Sequence, residues 1–151
     1  MSLAKSLLCR KCGQAYPVEA ISRCGVCLSP VEVTYDYEAM ADVMNHDRTA
    51  AGPTSMWRYK EMLPVDGEVI DIGVGFTPLV KADTLGKEIG LDRLYIKNDC
   101  LTPTYSFKDR PVSVAATKAR ELGFDTLACA STGNLAASVA AHAAKAGMKA
   151  Y

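Results

Sequence analysis

Thr104-Tyr105-Ser106-Phe107-Lys108-Asp109-Arg110 and, one helix and one strand later, Ser131-Thr132-Gly133-Asn134 decide how this chain is read. Pro111 to Leu122 carries Val112, Ala115, Ala116, Ala119 and Leu122 at helical spacing, and Gly123 supplies a stop. Thr126 to Ala130 reads as a buried strand, and Asn134 to Ala146 as an alanine-rich helix closed by Gly147. Each quoted stretch therefore opens a helix. Pro111 cannot donate to the carbonyl of Phe107, so Lys108 falls on a turn rather than inside the helix.

Working outward, Leu94-Tyr95-Ile96-Lys97 is a short strand, and Met148 to Tyr151 starts another. Alternating strands and helices predict parallel pairing in a doubly wound α/β sheet, here only part of one. A parallel sheet needs both faces covered, so the expectation is the amino-terminal part of a longer enzyme. Three zones are expected: 5–36, a cysteine-rich knuckle or ribbon; 37–68, a helical linker of two short helices joined at Gly52-Pro53; and 69–151, a truncated α/β domain.

Seventeen basic and seventeen acidic residues balance, which argues against a nucleic-acid-binding surface. No apolar run is long enough for a transmembrane helix, and the first residues lack the apolar core of a signal peptide. Six cysteines without an export signal fit a reducing cytosol, with thiols used for metal or packing.

Cys9-x2-Cys12 and Cys24-x2-Cys27 offer two thiolate pairs to one tetrahedral zinc. The spacer between the pairs is shorter than the about 15–20 residues of a typical ribbon. Four cysteines would close the metal shell, so the role would be structural. Cys100 and Cys129 are isolated, and Cys129 reads as core.

Two readings of each loop stay open on the residues alone. Ser106-x-x-Asp109 is either an ordinary capped helix with an exposed lysine or the site of a reactive amine beside the apolar wall of Phe107. Ser131 to Asn134 is either a plain cap or a loop whose free amides hold a carboxylate or phosphate. The loop is neither a dinucleotide fingerprint nor a Walker loop. His46 and His142 lack the spacing to join the cysteines and read as non-catalytic.

In combination these stretches resemble the fold type II, tryptophan-synthase-β-like pyridoxal-phosphate enzymes, and within them the threonine synthases. The likeness is carried by the cysteine knuckles, Trp57-Arg58-Tyr59 with Leu63-Pro64, Gly75-Phe76-Thr77-Pro78-Leu79, and the two helix-opening loops. It implies that Lys108 bonds the aldehyde of pyridoxal 5'-phosphate and moves protons, with Phe107 beside the cofactor. It implies that Asn134 hydrogen-bonds the cofactor's ring hydroxyl, and that Ser131, Thr132, Gly133 and Asn134 bind the substrate's α-carboxylate. The implied reaction is O-phosphohomoserine plus water to threonine plus phosphate, by a homodimeric carbon–oxygen lyase. The phosphate cup and the partner of the pyridine nitrogen are expected beyond Tyr151, so this stretch alone is expected to be inactive. Cysteate synthase and serine or threonine dehydratase are the enzymatic alternatives, and a non-enzymatic zinc-knuckle interaction module is the alternative of another class. Val74, Tyr105 and Leu135 depart from the family pattern, standing where Glu, a small or aliphatic residue, and Thr are common.

Overall fold

The computed structural model describes residues 2–151. Strands β1 (Ala4–Cys9), β2 (Ala15–Tyr16) and β3 (Val31–Tyr35) form an antiparallel sheet in the order β2-β1-β3. Helices α1 (Tyr37–Val43) and α2 (His46–Ala51) follow, capped by the side chains of Asp36 and Asn45, which accept from the amides of Ala39 and Arg48. A 3-10 segment spans Met56–Met62. The sequence reading of two short helices about Gly52-Pro53 thus becomes two α-helices before that turn and a 3-10 segment after it.

The larger part holds β4 (Leu79–Lys81), α3 (Asp83–Ile89), β5 (Tyr95–Lys97), α4 (Asp109–Glu121), β6 (Thr126–Leu127), α5 (Asn134–Ala146) and β7 (Lys149–Ala150). β6, α5 and β7 make the one β-α-β unit among the described residues, its strands parallel with Thr126 opposite Lys149 and Leu127 opposite Ala150. β4 and β5 instead pair antiparallel. Here the expectation of part of a doubly wound parallel sheet is corrected to a single parallel pair, β6 and β7, because the described residues form three separate small sheets. The reason is local. Helix α3 stops at Gly90, which is left-handed (φ 73°), the chain doubles back, and the Ala82 amide donates to the Leu94 carbonyl to close an antiparallel ribbon.

Val65, Ile70, Val74 and Ala116 are buried in the core beside Trp57. Polar groups hold this core against α4. The Trp57 indole N–H donates to Ser113 Oγ, which donates to the Ile70 carbonyl, while Thr117 Oγ1 accepts from the Ile70 amide. Buried hydroxyls at Ser113 and Thr117 are tolerable because each has partners. No helix among the described residues is long and apolar enough to cross a membrane.

Candidate functional site

Lys108 sits on the turn before α4 with helical dihedrals (φ −59°, ψ −22°), and no side chain caps that helix. Ser106 Oγ accepts from the Lys108 amide at 3.3 Å, and Asp109 turns away from the helix amides altogether. The capped-helix reading of Ser106-x-x-Asp109 is therefore not what forms. Asp109, fully buried, accepts from Thr104 N (2.8 Å), Thr104 Oγ1 (2.6 Å) and Ser138 Oγ (2.6 Å). Burial pushes this carboxyl up, but the hydrogen bonds from Ser138 and Thr104 outweigh it and hold it below its ordinary value.

Ser138 lies one turn beyond Asn134 on α5, on the same face. The Asp109–Ser138 bond thus joins the residue after Lys108 to the helix opened by Ser131–Asn134. It brings the two loops together through buried protein rather than solvent. Truncating Asp109 to alanine leaves two hydroxyls and one amide without their acceptor, and each such buried loss costs about 1–3 kcal/mol. Asp109→Ala is expected to lower stability by about 3 kcal/mol, read as a fall in the urea midpoint. A midpoint unchanged from wild type would refute the clamp.

The Asn134 loop is uncapped too. Gly133 precedes α5 with no side-chain cap, and the amides of Asn134, Leu135 and Ala136 find no acceptor among the described residues. Among the described residues Ser131 Oγ accepts only from Gly133 N, at 3.3 Å. Thr132, Gly133 and Asn134 are exposed, and Ser131 is half-buried. Lys108 is half-buried, its Nζ 4.5 Å from the centroid of the exposed Phe107 ring, and it joins no ion pair among the described residues. An unpaired amine can bond a carbonyl carbon, and a turn of unclaimed amides can receive an anion.

Four contacts that the sequence does not announce fix the neighbouring segments. Arg110 grips Asp99 with two nitrogens, at 2.8 and 2.9 Å, and Thr77 Oγ1 donates to Asp99 at 2.7 Å. Arg58 lies 4.6 Å from the Phe76 ring centroid. The Met56 amide donates to the Val74 carbonyl, where Gly75 (φ 91°) passes so close that a Cβ would meet Met56 N at 2.8 Å. The Trp-Arg-Tyr, Gly-Phe-Thr-Pro and lysine segments are thereby one connected surround. Of the departures from pattern, Val74 is fully buried, Leu135 is half-buried beside Pro111 and Leu127, and Tyr105 is exposed at a left-handed φ of 59°.

The Arg110 guanidinium, then the Thr77 hydroxyl, hold the Asp99 carboxyl at about 2. A carboxyl depressed on folding adds stability above its unfolded value, and that stability drains away as pH falls through the folded one. Here the window runs from about 4 down to about 2. The pair is about a third exposed, so after solvent screening the contribution is about 1 kcal/mol. Asp99→Asn is expected to flatten that part of the acid-stability curve. A wild-type-like slope below pH about 4 in Asp99→Asn would remove Asp99 from the account.

Cys9, Cys12, Cys24 and Cys27 form a second, separate group. Their sulfurs all lie within 4.8 Å of one another, with Cys9–Cys27 and Cys12–Cys24 at 3.4 Å. Sulfurs about 2.3 Å from a tetrahedral zinc stand about 3.8 Å apart, so the donor set fits the metal in number, type and spacing. The Gln14 amide draws the Cys12 thiol down, but its hydrogen bond with Cys24, burial and the other thiols prevail and push it up to about 12. Cys24 is held down at about 6, chiefly by the Tyr16 hydroxyl. Four neighbouring sulfurs cannot all carry charge unaided; a bound dication would let them.

Residues 70–151 match the family of pyridoxal-phosphate dependent enzymes. Over 143 residues the chain is 42% identical to the threonine synthase of Methanocaldococcus jannaschii (93% of this chain, 35% of that protein) and 44% identical to the threonine synthase of Methanosarcina acetivorans (94% and 35%). It is 45% identical over 102 residues to the threonine synthase of Halalkalibacterium halodurans, covering 63% of this chain and 28% of that one. The chain spans about a third of the length of the first two relatives. The family match begins at the buried Ile70 and runs through both uncapped helix openings, taking in more than half of the residues: this chain belongs to the pyridoxal-phosphate dependent enzymes and is similar to the amino-terminal portion of threonine synthases.

Proposed function

We propose that this chain supplies the lysine side of a threonine synthase-like lyase site, for the conversion of O-phosphohomoserine and water to threonine and phosphate. One observation carries the reading: an unpaired lysine on an uncapped turn is locked, through Asp109 and Ser138, to a second uncapped turn with three free amides. The first feature suits an aldehyde, and the second suits an amino-acid carboxylate.

Lys108 would hold pyridoxal phosphate covalently and, once displaced by the substrate's amine, carry protons with its freed Nζ. Asn134 would donate its side-chain amide to the cofactor's ring oxygen. Ser131, Thr132, Gly133 and Asn134 would fix the substrate carboxylate and so orient the α-hydrogen toward Lys108. When bound, the cofactor supplies an electron sink for the substrate's carbon framework. Phe107 would shield one side of the amine from water. The four cysteines would hold a structural zinc, apart from the chemistry. Activity is assigned to a protein of the relatives' length that carries this chain, a cytoplasmic homodimer; the 5–36, 37–68 and 69–151 zones are proposed as its knuckle, linker and catalytic segments.

The test is borohydride reduction of that protein in the presence of pyridoxal phosphate, followed by peptide mapping. A single stable pyridoxyl label on Lys108 is expected, together with phosphate release from O-phosphohomoserine. A label dispersed over other lysines, or phosphate release from phosphoserine with sulfite in preference, would overturn the assignment.

A further inference from the structure

The cysteine cluster has a fifth member that its spacing pattern does not contain. Tyr16 ends β2, where it pairs across the hairpin with Leu7, two residues before Cys9. Its backbone therefore belongs to the first Cys-x2-Cys half. Its hydroxyl reaches the second half, 2.8 Å from the Gly25 amide and 3.2 Å from Cys24 Sγ.

The direction of these two bonds follows from elementary valence. The Gly25 N–H can only donate, so the phenol oxygen accepts it. The phenol oxygen keeps a second lone pair, so the sulfur decides the other bond: a thiolate, the form that binds metal, has no hydrogen to give, and the phenol donates to it. Cys24 is fully buried, unlike Cys12 and Cys27, so a thiolate there lacks water as a donor. Besides the Cys12 thiol, which gives up its hydrogen when metal binds, it has Tyr16 O–H and the Val26 amide at 3.4 Å as donors.

We propose that Tyr16 is a positioning residue of the metal site, holding the two cysteine pairs in one cluster and donating its hydroxyl hydrogen to the Cys24 sulfur. The proposal rests on the reading of the four thiols as a zinc site. Hydrogen bonds to ligand atoms orient them and tune the charge they offer the metal, and losing one costs about 10–100-fold in affinity. A zinc held by four thiolates carries two net negative charges, so donors to sulfur are worth most where water is excluded.

Zinc affinity is to be measured on the metal-free chain by competition with a chromophoric chelator, for wild type, Tyr16→Phe and Tyr35→Phe. Tyr35 lies on β3 of the same sheet, and among the described residues no bond joins it to the cluster. A weakening of about tenfold or more is expected for Tyr16→Phe, and none for Tyr35→Phe. Cobalt in place of zinc separates the hydrogen bond from a general loosening of the sheet. Without its phenol donor the Cys24 lone pair rises in energy, so the sulfur-to-cobalt charge-transfer band of bound Tyr16→Phe should move to lower energy. Wild-type affinity with an unmoved band would overturn the role of Tyr16 while leaving the zinc site standing. Absence of zinc binding in the wild type would overturn both.

Discussion

Lys108→Ala is expected to remove the borohydride-stable pyridoxyl label and to cut turnover by at least about 10³-fold, since a positioned proton carrier alone contributes about 10²–10⁴. Lys5, Lys81, Lys118 and Lys149 are engaged by carboxylates, and Lys60 and Lys97 by backbone carbonyls. Lys11, Lys87, Lys145 and Lys108 have no such partner among the described residues; Lys87 and Lys145 lie in the last turns of α3 and α5 and Lys11 between the first two cysteines, whereas Lys108 stands on the turn before α4 and is joined through its neighbour to the Ser131–Asn134 helix. The loss should not be a loss of fold. The side chain is half-buried and its contact to Phe107 lies at the surface, so truncation should change stability by no more than about 0.5 kcal/mol. Lys108→Arg sharpens the test: it keeps the charge and the contact with Phe107 but cannot form the carbon–nitrogen double bond, so it should be equally unlabelled. An alanine variant that retains the label on another lysine would relocate the site.

The helices of this site were legible because their signals are local. Gly123 and Gly147 close α4 and α5 in left-handed turns, as their positions imply, and Asn134 to Ala146 is helical from end to end. Pro111 placed Lys108 on a turn, and the chain puts it there. What the sequence could not display are contacts between distant residues. Nothing in Thr104, Asp109 and Ser138 as letters says that one carboxylate receives three bonds, or that Asp99 answers both Thr77 and Arg110. The only hint was a polar residue at a core position, such as Ser138 on the apolar face of an alanine-rich helix. Sheet organisation failed for the same reason: alternation of strand and helix does not tell which strand a returning chain meets, and the reversal at Gly90 made β4 and β5 antiparallel. Tyr16 was invisible because its partner lies on the other knuckle.

Cys9→Ser is expected to weaken zinc binding by about 10²–10³-fold and to loosen the three-stranded sheet selectively. Structural zinc sites bind with about 10–16 kcal/mol, so one of four thiolates accounts for about 3–4 kcal/mol, and each 1.4 kcal/mol is tenfold. A serine hydroxyl is too short and too weakly acidic to take the place of the thiolate. Cys9 is also the last residue of β1 and fully buried, its sulfur 3.4 Å from Cys27, so a metal held there would tie the end of that strand to the second knuckle. Because binding and folding share one free energy in such sites, amide exchange should quicken in β1 and β3. The bonds that fix α4 and α5 come from Trp57, Ser113, Asp109 and Ser138, and among the described residues the knuckle segment meets α4 only across an open cleft at residues 19–22, so exchange in the two helices should stay close to wild type. Cys129→Ser, an isolated and half-buried thiol, serves as the control and should leave zinc content unchanged. Zinc retained at wild-type strength in Cys9→Ser would refute the four-cysteine site, and faster exchange spread evenly through α4 and α5 would refute the separation of the two parts.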